Sequence, residues 1–322
     1  MKTGTGFLVI SMLALSGLAL MLTACGGGGG SSTGTLNLSL TDAPIDSAVS
    51  VVVDFDAVEL QPAEGERIRF DLVEEGAPCH IDNDPTLCQI DLMQFTGTES
   101  FTILDGVEVP AGQYSWMRLE VNAVLDTLFD SYIELSDHPD CAPGTYELDI
   151  PSGAETGLKM NRPFIVAAGG ITDLTIDFDL RKSVHEPQPN DDTCTFKLRP
   201  TLRLVDNLEV GALTGSVDPG LIADGCSGAV YVFDATTTVP DDVDGNDADG
   251  ADPIATALLS DALTYTVGFL ESGDYLVAFT CDAGVDDSAI DNDIAGEPPV
   301  VFSGDTRVGI TVNEALEHNF GP

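Results

Sequence analysis

Apolar and polar positions alternate along most of the chain. Leu36, Leu38 and Leu40 are separated by Asn37 and Ser39. Met117, Leu119 and Val121 alternate with Trp116, Arg118 and Glu120, and Leu174, Ile176 and Phe178 with Thr175, Asp177 and Asp179. Val308, Ile310 and Val312 repeat the pattern near the end. A period of two, rich in β-branched and aromatic residues, predicts strands with one buried face. No stretch after residue 25 keeps helical spacing, and turn formers fall between the strands: Pro110-Ala111-Gly112, Pro151-Ser152-Gly153, Gly169-Gly170 and Ser272-Gly273-Asp274. The expectation is an all-β protein with two antiparallel β-sandwich domains, 35–207 and 208–322. The boundary falls near 206–211. Before it, Leu198 to Val205 reads as one closing strand interrupted by Pro200, and a new strand begins at Gly211.

The first 25 residues break this pattern. Lys2 is followed by an almost wholly apolar run from Phe7 to Met21, too short for a stable spanning helix. Leu22-Thr23-Ala24-Cys25 then resembles the lipobox of bacterial lipoproteins. That resemblance implies a signal peptide over 1–24, cleavage before Cys25, diacylglycerol on its thiol and a further acyl chain, such as palmitate, on the new amino terminus. Two or three chains anchor a protein where one binds only marginally. Gly26 stands where an Asp would signal inner-membrane retention, so the resemblance favours the outer membrane of a Gram-negative host. Residues 25–34 form an acylated Cys with a flexible Gly/Ser tether, about 15–18 Å across as a random coil.

The formal net charge is −42, from 54 acidic and 12 basic residues. Such a surface repels nucleic acid and anionic headgroups. From Glu209 onward there are 22 acidic residues and one basic residue, Arg307. Seven basic residues cluster between 159 and 203: Lys159, Arg162, Arg181, Lys182, Lys197, Arg199 and Arg203. Cys25 apart, six cysteines remain, an even number that reads as disulfides in an exported chain. Fifteen pairings are open, and Cys79–Cys88, Cys141–Cys194 and Cys226–Cys281 are favoured because each pair stays within one expected domain.

Five ordered segments carry a further resemblance. They are Gly34 to Pro44; Val109 to Tyr114 with Met117-Arg118-Leu119; Ile150 to Gly153 with Gly157-Leu158-Lys159; Leu174 to Asp179; and Lys197 to Leu204. Together they resemble the bacterial lipoprotein family known as domain of unknown function 4382, over about 34–206. The resemblance implies a β-rich extracytoplasmic module and brings no catalytic residues. The remainder resembles, more loosely, the carboxypeptidase regulatory-like, transthyretin-type sandwich, through Leu213 to Val217, Gly228 to Phe233, Tyr265 to Leu270 and Gly273 to Val277.

Candidate chemistry follows from the acidic loops. Asp242, Asp244, Asp247 and Asp249 supply the alternating oxygen ligands that suit a structural Ca2+, although the closing Glu of an EF-hand is missing. Asp286, Asp287, Asp291 and Asp293 form a second acidic loop that would share the cation if both lay at one end of the sandwich. Asp82 and Asp84 are a lesser candidate. Lys197, Arg199 and Arg203 are expected to pair across strands with Asp177 and Asp179, the alternative being a site for an anionic sugar or polymer. Tyr114 and Trp116 are read together on one strand face, as core rather than platform. The four histidines, His80, His138, His185 and His318, sit in or beside loops, and neither Gly-x-Ser-x-Gly nor His-Glu-x-x-His occurs.

These readings converge on a non-catalytic envelope lipoprotein, held to the membrane through Cys25. Its binding or adhesive partner would be a glycan, an envelope protein or a cell-surface component, and its ligand-binding residues are not assigned. The alternatives are a structural subunit of an envelope assembly and, further off, a carboxylate-dependent hydrolase.

Overall fold

The computed structural model describes residues 32–45, 48–73, 79, 87–124, 129–136, 138, 141–151, 153–185, 187, 194–244, 251–288, 290–292 and 297–321. Cys25, Asp82, Asp84, Asp247, Asp249, Asp293 and His80 lie outside them. Almost every described element is a strand, and the two α-helices, Gly153–Thr156 and Leu180–Ser183, are single turns. No helix among the described residues is long and apolar enough to cross a membrane.

The N-terminal strands make two facing sheets. The smaller has the order Leu202–Asp206, Ile171–Asp179, Thr33–Ala43, Phe101–Pro110. The wider has ten strands centred on Ser50–Pro62, flanked by Gly112–Asn122 and Tyr132–Leu135. Leu36, Leu38 and Leu40 are fully buried between the sheets, with Leu38 and Leu40 in register with Leu174 and Ile176. Phe55 of the wide sheet meets Phe178 of the small one edge to face at 6.1 Å, a favoured aromatic geometry. The alternation of the sequence is thus the core face of each strand.

Ser50–Pro62 departs from that simple pattern. Val51, Val53 and Phe55 point into the core, and then Val58 and Leu60 do. Asp56 is an extra residue: Phe55 pairs with Val121, but Ala57 pairs with Glu120. This β-bulge reverses the parity of one strand while its neighbour keeps Met117, Leu119 and Val121 inward.

The C-terminal strands also make two sheets, Thr264–Glu271, Val210–Ser216, Ala315–Glu317 and Ala255–Leu258, Ala229–Asp234, Gly273–Thr280, Phe302–Ile310. Leu213, Val230, Val267, Val277, Phe279 and Phe320 form the core between them. Antiparallel pairs dominate, but three pairs among the described strands are parallel. Thr33–Ala43 pairs so with Ile171–Asp179, Gly144–Asp149 with Phe196–Leu198, and Val210–Ser216 with Ala315–Glu317. Parallel neighbours require long crossovers, which local spacing does not reveal.

The six cysteines form Cys79–Cys88, Cys141–Cys194 and Cys226–Cys281, the favoured pairing.

The single closing strand expected over 198–205 is two strands. Phe196–Leu198 belongs to the wide sheet and Leu202–Asp206 to the small one, so the chain changes sheets at Pro200. Proline has no N–H to give to a ladder, which suits a residue passing between sheets.

Candidate functional site

The two acidic loops meet. The Val243 amide donates to Asp286 Oδ1 at 3.0 Å, and the Asn292 amide to Asp242 Oδ2 at 3.0 Å. Asp242 and Asn292 are both 2% exposed. The Asp244 amide donates to Asp252 Oδ1 at 3.3 Å. Two of the four expected ligands, Asp242 and Asp244, therefore belong to a joined loop cluster. No group of three Asp, Glu, His or Cys side chains among the described residues could hold a metal ion.

The cations in this cluster come from the other pair of sheets. Arg181, 5% exposed, donates from NH1 to the Ala283 carbonyl at 2.8 Å and lies 5.8 Å from the centre of the Tyr231 ring. Tyr231 donates its hydroxyl to Asp286. Lys182 donates to the Pro253 carbonyl and stands 4.0 Å from Asp252 Oδ2. Burial pushes the Asp286 carboxyl up to about 6, against the pull of Arg181, the Tyr231 hydroxyl and the Val243 amide, with Asp242 adding to the rise. The sequence held both halves of this arrangement, but Arg181 and Ala283 are 102 residues apart and no local pattern joins them.

The basic cluster does not act as one face. Arg203 pairs with Asp177, Nε to Oδ2 at 3.1 Å, in register on neighbouring strands. That is the expected cross-strand pair. Lys197 instead pairs in register with Asp149 and His185 in the wide sheet, and Arg199 is exposed. The sheet change at Pro200 separates them.

A groove of about 540 Å³ lies where the free edge of Leu202–Asp206 approaches Leu158–Met160. Lys159, Asn161, Arg162 and Arg203 supply its polar lining, and Leu158, Met160, Pro200 and Leu202 are among its apolar walls. No Asp or Glu lines it, although the chain has more than four acidic residues for each basic one. Arg162 is tied to the Leu204 carbonyl at 2.6 Å and to Glu271. The Lys159 ammonium stands 4.5 Å from the centre of the Trp116 ring and has no carboxylate partner among the described residues. Trp116 and Tyr114 have different surroundings. Tyr114 is a core residue stacked on Phe164 at 4.9 Å, whereas Trp116 is half-buried beneath Lys159 and Arg118.

His138 accepts from the Cys141 amide and the His318 ring abuts Phe320, so both have structural contacts. His185 Nδ1 lies 3.3 Å from Ser288 Oγ, a nucleophile beside a base. No further hydrogen bond orients that ring among the described residues, and burial, with Arg199 beside it, lowers its basicity. Asp287 opposes that change in part.

A family profile described as Domain of unknown function (DUF4382) matches residues 33–200. No curated protein matches the chain. Among solved structures, the chain is similar to the Bacillus anthracis TIE protein at 10% identity and a TM-score of 0.21, with 88% of this chain and 33% of that chain covered. It is similar to the minor pilin of Streptococcus agalactiae at 10% identity and a TM-score of 0.19, covering 88% and 94%. For the major pilin subunit of Bacillus cereus the values are 8%, 0.19, 89% and 98%. The chain spans a third of the length of the B. anthracis protein and 26% of a leucine-rich repeat protein from Bacteroides thetaiotaomicron. TM-scores near 0.2 carry no inference about activity.

Proposed function

This chain belongs to the family described as Domain of unknown function (DUF4382), and on that premise we propose that it is a lipid-anchored, non-catalytic binding module of the cell envelope. Its two sandwiches, 35–207 and a transthyretin-type 208–322, project from acyl chains on Cys25 in the outer membrane. The observation that carries the reading is the set of three disulfides across an otherwise all-β scaffold. Disulfides form and persist in oxidising, extracytoplasmic compartments. The groove around Lys159, Asn161, Arg162 and Arg203 is the proposed contact surface for a glycan or an envelope protein, because cationic side chains line it on a molecule that is anionic elsewhere.

Two measurements test this reading. Cys25→Ala should move the protein from the membrane to the soluble fraction and abolish labelling by a palmitate analogue; retention of both would end the lipoprotein assignment. Binding of the wild-type chain to envelope fractions and glycan arrays should fall severalfold in Lys159→Ala. Binding to neither surface, or binding indifferent to Lys159, would remove the groove from the proposal.

A further inference from the structure

Two sheet edges end at the groove around Lys159, and neither has a second neighbour among the described strands. Leu202–Asp206 is the last strand of the small sheet and pairs with Ile171–Asp179 alone. Leu158–Met160 pairs with Gly112–Asn122 of the wide sheet alone. Leu158, Met160, Leu202 and Leu204 line the space of about 540 Å³ between the two edges. A free edge carries a row of N–H and C=O groups that can serve as the template for another strand.

The ladder fixes which of those groups face the groove. The Asp179 amide donates to the Thr201 carbonyl at 3.1 Å, and the Asn207 amide to the Asp173 carbonyl at 2.9 Å. Backbone groups alternate in direction along an antiparallel strand. Arg203 and Val205 therefore turn theirs toward Ile171–Asp179, in step with Thr201 and Asn207, while Leu202 and Leu204 turn theirs away. The Arg162 guanidinium agrees with this, since it reaches the Leu204 carbonyl from the groove side at 2.6 Å. The Leu202 amide, the Leu202 carbonyl and the Leu204 amide are left with no ladder partner among the described strands.

Charge then selects among possible strands. Arg203 is held by Asp177, and Arg162 shares its charge with Glu271. Lys159 is exposed beside the Trp116 ring, with no carboxylate partner among the described residues. One cation at the groove is thus uncompensated on a chain of net charge −42, and no described Asp or Glu lines the space. Complementary charge orients a partner and rejects the wrong one.

On the reading of this groove as a contact surface, we propose that its occupant is an extended acidic peptide, a segment of a partner protein that adds as a strand to Leu202–Asp206. Its backbone bonds to the Leu202 amide and carbonyl and to the Leu204 amide. One set of alternate side chains lies against Leu158, Met160 and Leu202, and a carboxylate of the segment meets Lys159. In strand addition the main-chain bonds give affinity and the alternate side chains give specificity. A glycan has no repeating N–H and C=O in step with a strand edge, so this edge favours a peptide over a saccharide of the same charge.

The test is calorimetric titration of the full chain in detergent with a blocked hexapeptide of alternating Val and Glu. It should bind, and its counterpart with Lys in place of Glu should bind at least about tenfold more weakly, the scale of one charge-assisted hydrogen bond. Lys159→Glu, a change at an exposed position, should reverse that order. Only alternate amides of an added strand face the edge. N-methylation of the Val amides alone and of the Glu amides alone should therefore differ, one weakening binding at least about tenfold and the other leaving it nearly unchanged. Absence of peptide binding, equal loss from both N-methylated forms, or an order of affinity indifferent to Lys159→Glu would each overturn the proposal. An oligogalacturonate of equal charge separates it from the reading on which it rests. If the saccharide binds in a Lys159-dependent way and the peptide does not, strand addition fails and the groove stays a contact surface; if neither binds, both fail.

Discussion

Asp42 and Asp286 are both carboxylates taken out of water, one between the sheet pairs and one in the joined acidic loops. Asp286 is surrounded: Arg181 lies beside it, the Tyr231 hydroxyl and the Val243 amide donate to it, and its carboxyl rises only to about 6. Asp42 has two carboxylates for neighbours, Asp177 and Asp179, and only the Leu180 and Ala43 amides to offset them, so its carboxyl is raised well above the ordinary range. The difference teaches that a cation and a side-chain donor beside a buried carboxylate limit how far burial can raise it. The acidic loops suggested calcium in the sequence; Asp247 and Asp249 lie outside the described residues, and the described part of the loops has Arg181 and Lys182 beside it. The segment Thr33–Ala43 read as an ordinary strand, and near its end it carries a carboxylate buried beside two others.

The comparison can be broken most forcefully at Arg181. Arg181→Met leaves Asp286 buried without its guanidinium, and removing one member of a buried pair costs about 3–5 kcal/mol. Chemical denaturation at pH 7.5 should show that loss; a change below about 1 kcal/mol would mean that Arg181 does not hold the loops. A smaller effect is expected from pH. Asp54 and Asp286 are both pushed up to about 6 by burial from an ordinary 3.8. Between those values the folded chain keeps protons that the unfolded chain has lost, so stability falls as pH rises from about 4 to about 6 and stays reduced above it. A shift of that size is worth up to about 3 kcal/mol per group. Melting curves should therefore show the wild type more stable at pH 4.5 than at pH 7.5, with the slope reduced in Asp286→Asn.

Asp42→Asn should behave oppositely to Arg181→Met. It removes a buried acid whose carboxyl burial raises, and should raise stability by about 1 kcal/mol at high pH and by less as the pH falls. A large loss at high pH would show that the Leu180 and Ala43 amides outweigh the cost of burying Asp42. Calcium should have the least effect. With Arg181 and Lys182 among the carboxylates, added calcium at matched ionic strength should barely move the melting temperature. A clear rise that vanishes in Asp242→Asn, Asp244→Asn would give the loops a further cation.

Much of the scaffold was legible in the sequence, because burial writes a period of two into each strand. Leu36, Leu38, Leu40 and Met117, Leu119, Val121 are core as read, and the cysteine pairs are as favoured. What escaped depends on distance or on a single inserted residue. The bulge at Asp56 reverses a strand's parity without any local signal, and the sheet change at Pro200 splits what looked like one basic face. The parallel pairing of Thr33–Ala43 with Ile171–Asp179 joins segments more than a hundred residues apart. Arg181 reaches the acidic loops across a similar span. Charge complementarity has no period, so composition could name the partners but not introduce them.

Thr33–Ala43 is an inner strand, bonded along one side to Ile171–Asp179 and along the other to Phe101–Pro110. Residue 32 is its point of entry. A pull on the chain at that point therefore runs along the strand axis and loads two ladders of hydrogen bonds in shear, all at once, instead of peeling one edge bond by bond. Drag on a partner held by the folded part would meet the most resistant direction the small sheet has, so a chain tethered upstream of residue 32 is built to carry tension.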